Sequence, residues 1–162
     1  MIVKDPSPAQ SDDKLRRAGH EAERQMAFYL KRAFGADSSV HVFHDLRLEH
    51  DGDAAQIDHL LLHRFGAVIV ESKSVTTAVR VNARGEWARL YGGRWGGMAS
   101  PVLQARRQVE FLKAFLARHA PELLGTTLLG GRRSFEPLPL DVLALQQGKK
   151  YLINVGSVGQ PR

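Results

Sequence analysis

Apolar residues recur every three or four positions over residues 11–34, at Leu15, Ala18, Ala22, Met26, Tyr29, Leu30 and Ala33. That is the spacing of an amphipathic helix. Ser11 can cap its start, Asp12 and Asp13 suit the positive end of its dipole, and Gly35 can end it. The pattern then shortens into three strand-like runs, 40–48, 56–63 and 67–73. His50-Asp51-Gly52-Asp53 makes a turn between the first two, and Arg64-Phe65-Gly66 is short enough to fold the second and third into a hairpin.

Residues 76–91 predict two further short strands with a turn near Asn82-Ala83-Arg84-Gly85, and the glycine-rich stretch 92–97 predicts a loop. Ser100-Pro101 opens a second helix, with serine as cap and proline in the first helical position. Val102, Ala105, Val109, Leu112, Phe115 and Leu116 give it one apolar face, and Pro121 is expected to end it after about His119. A strand over 138–145 and another over 151–155 complete the order. This is an α/β domain with a central mixed sheet flanked by helices, in the core order αβββαβ. It is expected to fill residues 11–155, between a flexible segment over 1–10 and a loose tail over 156–162.

The chain has 162 residues, enough for one domain with a single sizeable core. No apolar run reaches 18 residues, so no membrane-spanning helix is expected, and the polar start does not read as a signal peptide. There is no cysteine, which excludes disulfides, zinc–thiolate sites and thiol catalysis and fits a reducing cytoplasm. The net charge of +6 favours polyanionic partners.

The chemistry concentrates in Gln56-Ile57-Asp58-His59 and Val70-Glu71-Ser72-Lys73. Side chains alternate along a strand, so Glu71 and Lys73 share a face, while Ser72 points away and offers its backbone carbonyl to the same edge. A two-residue loop at Arg64-Phe65 sets Asp58 opposite Glu71; a three-residue loop would set it opposite Ser72 instead. Two carboxylates side by side repel unless a cation offsets them. Oxygen ligands in a half-open cluster suit Mg²⁺ or Mn²⁺, and a lysine beside the metal can orient water or stabilise transition-state charge. Residue types and spacing alone leave this reading level with an ordinary strand-end ion pair.

Other residues border that centre. Glu23 lies beside the apolar stripe of the first helix, where a carboxylate without a partner is unexpected. Gln56 shares the parity of Asp58, and Gln104 starts the second helix just after Pro101; either amide can hold a phosphate or a water next to the metal. Arg80, Arg84, Arg89 and Arg94 interleave with Trp87, Tyr91 and Trp95, the composition of a surface that tracks phosphates and stacks on bases, with Arg106 on a basic rim. A zinc pair at His59 and His63 would need a third ligand that the neighbouring sequence does not supply. His41 and His44 fall on opposite strand faces.

An aspartate on one strand followed by Glu-x-Lys on the next resembles the PD-(D/E)XK nuclease superfamily and, more narrowly, its nuclease-related domain (NERD) family. Five elements agree in order over roughly residues 15–118: helical Glu23, Gln56-Ile57-Asp58-His59, Val68-Ile69-Val70-Glu71-Ser72-Lys73, Trp87, and the helix start Ser100-Pro101-Val102-Leu103-Gln104. Ala22 stands before Glu23 where the family usually has glycine, and Ser100 where asparagine is usual. The resemblance implies a restriction-endonuclease-like fold and a Mg²⁺-dependent nuclease acting on DNA, with RNA also open as substrate and a homodimer allowed. It makes Asp58, Glu71 and the Ser72 carbonyl metal ligands, Lys73 the residue that positions water, and Glu23 a contact to a water of the metal or to a second ion. The alternative in another class is a binding module that keeps the fold without turnover.

Overall fold

The computed structural model describes residues 1–8, 13–125, 131, 133–146 and 152–154. In chain order the elements are β1 (Ile2–Lys4), α1 (Lys14–Phe34), β2 (Val40–His50), β3 (Asp53–His63), β4 (Gly66–Lys73), β5 (Val79–Val81), β6 (Trp87–Tyr91), β7 (Arg94–Met98), α2 (Pro101–Leu124), β8 (Leu140–Gln146) and β9 (Leu152–Asn154). Six strands form one mixed sheet in the order β1-β2-β3-β4-β8-β9, and β5-β6-β7 form a second, smaller sheet. β3 pairs antiparallel with both β2 and β4, whereas β1 pairs parallel with β2 and β8 parallel with β4. The expected αβββαβ core is therefore α1, β2, β3, β4, α2 and β8. Among the described residues no helix is long and apolar enough to cross a membrane.

Local chemistry explains the hairpins. Asp51 and Gly52 both take positive φ, 50° and 83°, the conformation that a two-residue turn between twisted strands requires. The β3–β4 loop is the two-residue one: His63 pairs with Gly66 across Arg64-Phe65. A Cβ on Gly66 would overlap the carbonyl of Pro139, which accepts a 2.9 Å hydrogen bond from the Ala67 amide and brings β8 alongside.

The two helices cover opposite faces of the large sheet. On one side Leu30 of α1 packs with Val42, Leu61 and Val70; on the other, Ala105, Val109 and Leu112 of α2 pack with Ile57, Leu60, Ile69, Leu140 and Val142. β2 and β3 each change face midway. Val42 lies on the α1 side while Leu46 and Leu48 lie on the α2 side, although all three are even-numbered. Leu61 and Ile57 show the same reversal in β3. The switch falls where the β2–β3 ladder skips Asp45 and Asp58, and Asp45 has a φ of 52°.

Several expectations need correction. Residues 92–97 are not a loop: Gly92 and Gly93 form a two-residue turn, with φ of 54° and 76°, and Arg94–Met98 pairs with Trp87–Tyr91 as a third strand. The flexible start is likewise corrected over Ile2–Lys4, which adds an edge strand to the sheet. α2 runs through Pro121 to Leu124. Proline forfeits one helical bond there, and the buried Ala120 beside it keeps the last turn docked. Tyr29, counted on the core face of α1, is 55 % exposed, so that face narrows to Ala22, Met26, Ala27, Leu30 and Phe34. Ser11, Asp12 and the tail over 156–162 lie outside the described residues.

Candidate active site

β3 and β4 part company after the pair His59–Val70. Continued regularly, the ladder would set Ile57 opposite Ser72. Instead the Ser72 amide donates to Asp58 Oδ2 at 2.9 Å, so a carboxylate takes the place of a backbone carbonyl. In an antiparallel strand the N–H and C=O of one residue lie on the same edge. The Ser72 carbonyl therefore lies on the edge that β3 has left. Asp58 and Glu71 come together in this opening, but not as the directly opposed pair that strand parity predicts, because β3 breaks its alternation at Asp58 itself.

Glu71 is 1 % exposed and is held from both oxygens. Lys73 Nζ lies 2.5 Å from Oε1, and Gln108 Nε2 donates to Oε2 at 2.9 Å. Lys73 Nζ also donates to Gln104 Oε1 at 2.9 Å, so the start of α2 grips the end of β4. Gln108 spans the gap between the strands, donating as well to the backbone carbonyl of Gln56 at 2.7 Å. Its own Oε1 is buried with no hydrogen-bond partner among the described residues, an orphaned acceptor beside Glu71.

Burial, followed by the charge of Glu71 and more weakly that of Glu23, pushes the Asp58 carboxyl up to about 7; the Ser72 amide and Lys73 pull the other way. Two carboxylates face one ammonium. The donors are hard oxygens, and their charge is incompletely offset. That set fits a divalent cation such as Mg²⁺ or Mn²⁺, which keeps several waters and needs few protein ligands. Among the described residues no three His, Cys, Asp or Glu side chains converge as a ready metal cluster. An ion here would rest on Asp58, Glu71, the Ser72 carbonyl and water.

The other anticipated residues divide. Gln104 is at the site. Glu23 is near enough to act on Asp58 electrostatically, and its carboxylate lies 3.5 Å from His20 Nδ1. The Gln56 side chain turns away and bonds Asp45, so Gln56 serves the site through its carbonyl alone. Arg80, Arg84, Arg89 and Arg94 are exposed on and around the small sheet, and Arg106 is exposed on α2.

Behind the opening, on the α1 side, lies a group that residue spacing left without a role. His44 and His59, each 1 % exposed, share a 2.8 Å Nδ1–Nδ1 hydrogen bond, and His59 Nε2 lies 3.2 Å from Ser72 Oγ. Burial lowers both imidazoles, His59 to about 3 with help from His44, so they stay neutral and one ring donates to the other. Lys4 of β1 donates to the carbonyl of His44 at 2.8 Å and to that of Asp45, tying the edge strand to the β2 kink. The two-residue turn at Asp51-Gly52 already implies that His44 opposes His59, and Gln104 and Gln108 stand one helical turn apart. Both were findable in the sequence; Lys4 left no trace there.

The sequence model of the nuclease-related domain matches residues 18–137, most of the chain and all of this site. No curated protein and no solved structure shows a significant match. The chain belongs to the nuclease-related domain family.

Proposed function

Taking membership of the nuclease-related domain family as its premise, we propose that this chain hydrolyses phosphodiester bonds of DNA with Mg²⁺ or Mn²⁺. The observation that carries this reading is the meeting of Asp58, Glu71 and Lys73 where β3 and β4 separate. Asp58, Glu71 and the Ser72 carbonyl would hold the cation. When bound, it supplies Lewis acidity to a phosphoryl oxygen and to the attacking water. Lys73 spends two of its three N–H donors on Glu71 and Gln104, which fixes the ammonium in place. The third is left to hold the attacking water or a phosphate oxygen as charge develops. Gln108 keeps Glu71 from turning, and Glu23 lies on the α1 side of Asp58 to receive a water or a second ion. Arg80, Arg84, Arg89, Arg94 and Arg106 supply phosphate contacts.

The test is a panel of linear, circular, single-stranded and branched DNA and matched RNA. Binding is measured in Ca²⁺ and cleavage in Mg²⁺ or Mn²⁺. Cation-dependent cleavage of DNA is the expected result. Tight binding with no cleavage of any substrate would replace this reading with that of a binding module on the same fold.

A further inference from the structure

The small sheet is an insertion whose two ends are both fastened at the candidate site. The chain leaves β4 at Lys73, builds β5, β6 and β7, and re-enters α2, whose Gln104 bonds Lys73. Residues 79–98 carry four arginines against one acid, Glu86, which is occupied by Asn82 at 2.6 Å. None of the four arginines forms a salt bridge among the described residues.

The register places Arg80, Ala88, Leu90, Trp95 and Gly97 on one face of this sheet and Trp87, Arg89, Tyr91 and Arg94 on the other. On the first face the Arg80 guanidinium lies 4.3 Å from the centre of the Trp95 ring, beside a floor of Ala88 and Gly97 that carries nothing larger than a methyl group. On the second, Arg89 lies 5.9 Å from Tyr91. Trp95 is 41 % exposed and Tyr91 76 %. A groove of about 970 Å³ runs from Arg84 across Ala88 and Gly97 to Ser100 and Leu103, next to Gln104.

Phosphate contacts need cations but no exposed rings. In a duplex the bases stack on one another, so their faces are closed to an aromatic shelf. On the first face the exposed Trp95 indole, with the Arg80 guanidinium beside it, matches a base that has lost its stacking partner. We propose that the Trp95 face of the β5–β7 sheet is a stacking platform for unpaired bases of single-stranded DNA, leading the strand toward Lys73. This rests on the nuclease reading for its direction, but the binding stands or falls separately.

The test uses the full chain in EDTA, with a fluorescent oligothymidine and a blunt duplex of equal length at several salt concentrations. The single strand should bind the more tightly. Trp95→Ala should weaken it about five- to a hundredfold, with Trp95→Phe retaining most of the affinity, because stacking on one ring is worth that much per base. Arg80→Ala with Arg84→Ala should lower the salt dependence, which Trp95→Ala should leave unchanged. The chain has only two tryptophans, so in a Trp87→Phe background oligothymidine should quench Trp95 fluorescence directly. Equal affinity for duplex and single strand, or no loss and no quenching at Trp95, overturns the platform. Loss of cleavage with the Trp95 effect intact would sink the nuclease reading and leave the platform standing.

Discussion

Two polar chains leave consecutive residues of β4 in opposite directions. From Ser72 one runs toward α1, through the imidazoles of His59 and His44. From Glu71 and Lys73 the other runs toward α2, to Gln108 and Gln104. Both are buried deeply enough to be costly if left unpaired. The α1 chain resolves the cost by neutrality: each ring has a partner, and burial holds the protons off. The α2 chain keeps its charge and leaves an acceptor, Gln108 Oε1, without a donor. The contrast separates a scaffold from a candidate reaction centre. A satisfied neutral network has nothing further to bind, whereas carboxylates short of counter-charge do.

The largest expected effect is at Lys73. Lys73→Ala should lower kcat about 100- to 1,000-fold while leaving DNA affinity in Ca²⁺ nearly intact, since one lysine is a small share of the phosphate contacts. Equal loss of binding and cleavage would make Lys73 a docking residue and blur the contrast.

Next comes the scaffold side. His59→Ala should destabilise the fold by about 2–4 kcal/mol, because it opens a cavity and leaves His44 Nδ1 buried without its partner. Its pH dependence is specific. The folded imidazole titrates at about 3, below its ordinary 6.5, so its contribution is present above pH 6.5 and is lost as the pH falls toward 3. Thermal melts should show an acid-side loss over that window, and His59→Gln should reduce it. Unchanged acid sensitivity in that variant would remove the neutral pair from the account.

The smallest effect runs the other way. Asp58 titrates at about 7 in the fold, above its ordinary 3.8, so ionising it costs stability that is untouched below pH 4 and fully lost above pH 7. Without divalent cations, Asp58→Asn should therefore be as stable as the unmodified protein at pH 4 and more stable than it at pH 8. Mg²⁺ should raise the Tm of the unmodified protein and not that of the variant. A large drop in Tm for Asp58→Asn at pH 8 would put Asp58 on the scaffold side of the comparison.

The sequence by itself determined the order of the core elements and the two turns. Helical and strand periods marked α1, β2, β3, β4 and α2, because each buries one face. Asp-Gly and a two-residue connection set the registers, because turn geometry allows few pairings. Register in turn led to the expectation that Asp58 meets Glu71 and Lys73. Only the tertiary structure decided the rest. Strand parity fails at Asp58, since a left-handed Asp45 across the ladder switches both strands to the other face, and no local pattern announces such a break. Gln108 reaches Glu71, and Lys4 reaches the β2 kink, only once α2 and β1 dock. The glycine-rich stretch reads as loose by composition, yet it pairs as β7 because β6 supplies the hydrogen-bond partners that glycine cannot specify for itself. Local chemistry chooses an element and its turn; which buried polar atoms meet depends on contacts between residues far apart in the chain, and these exist only in the folded state.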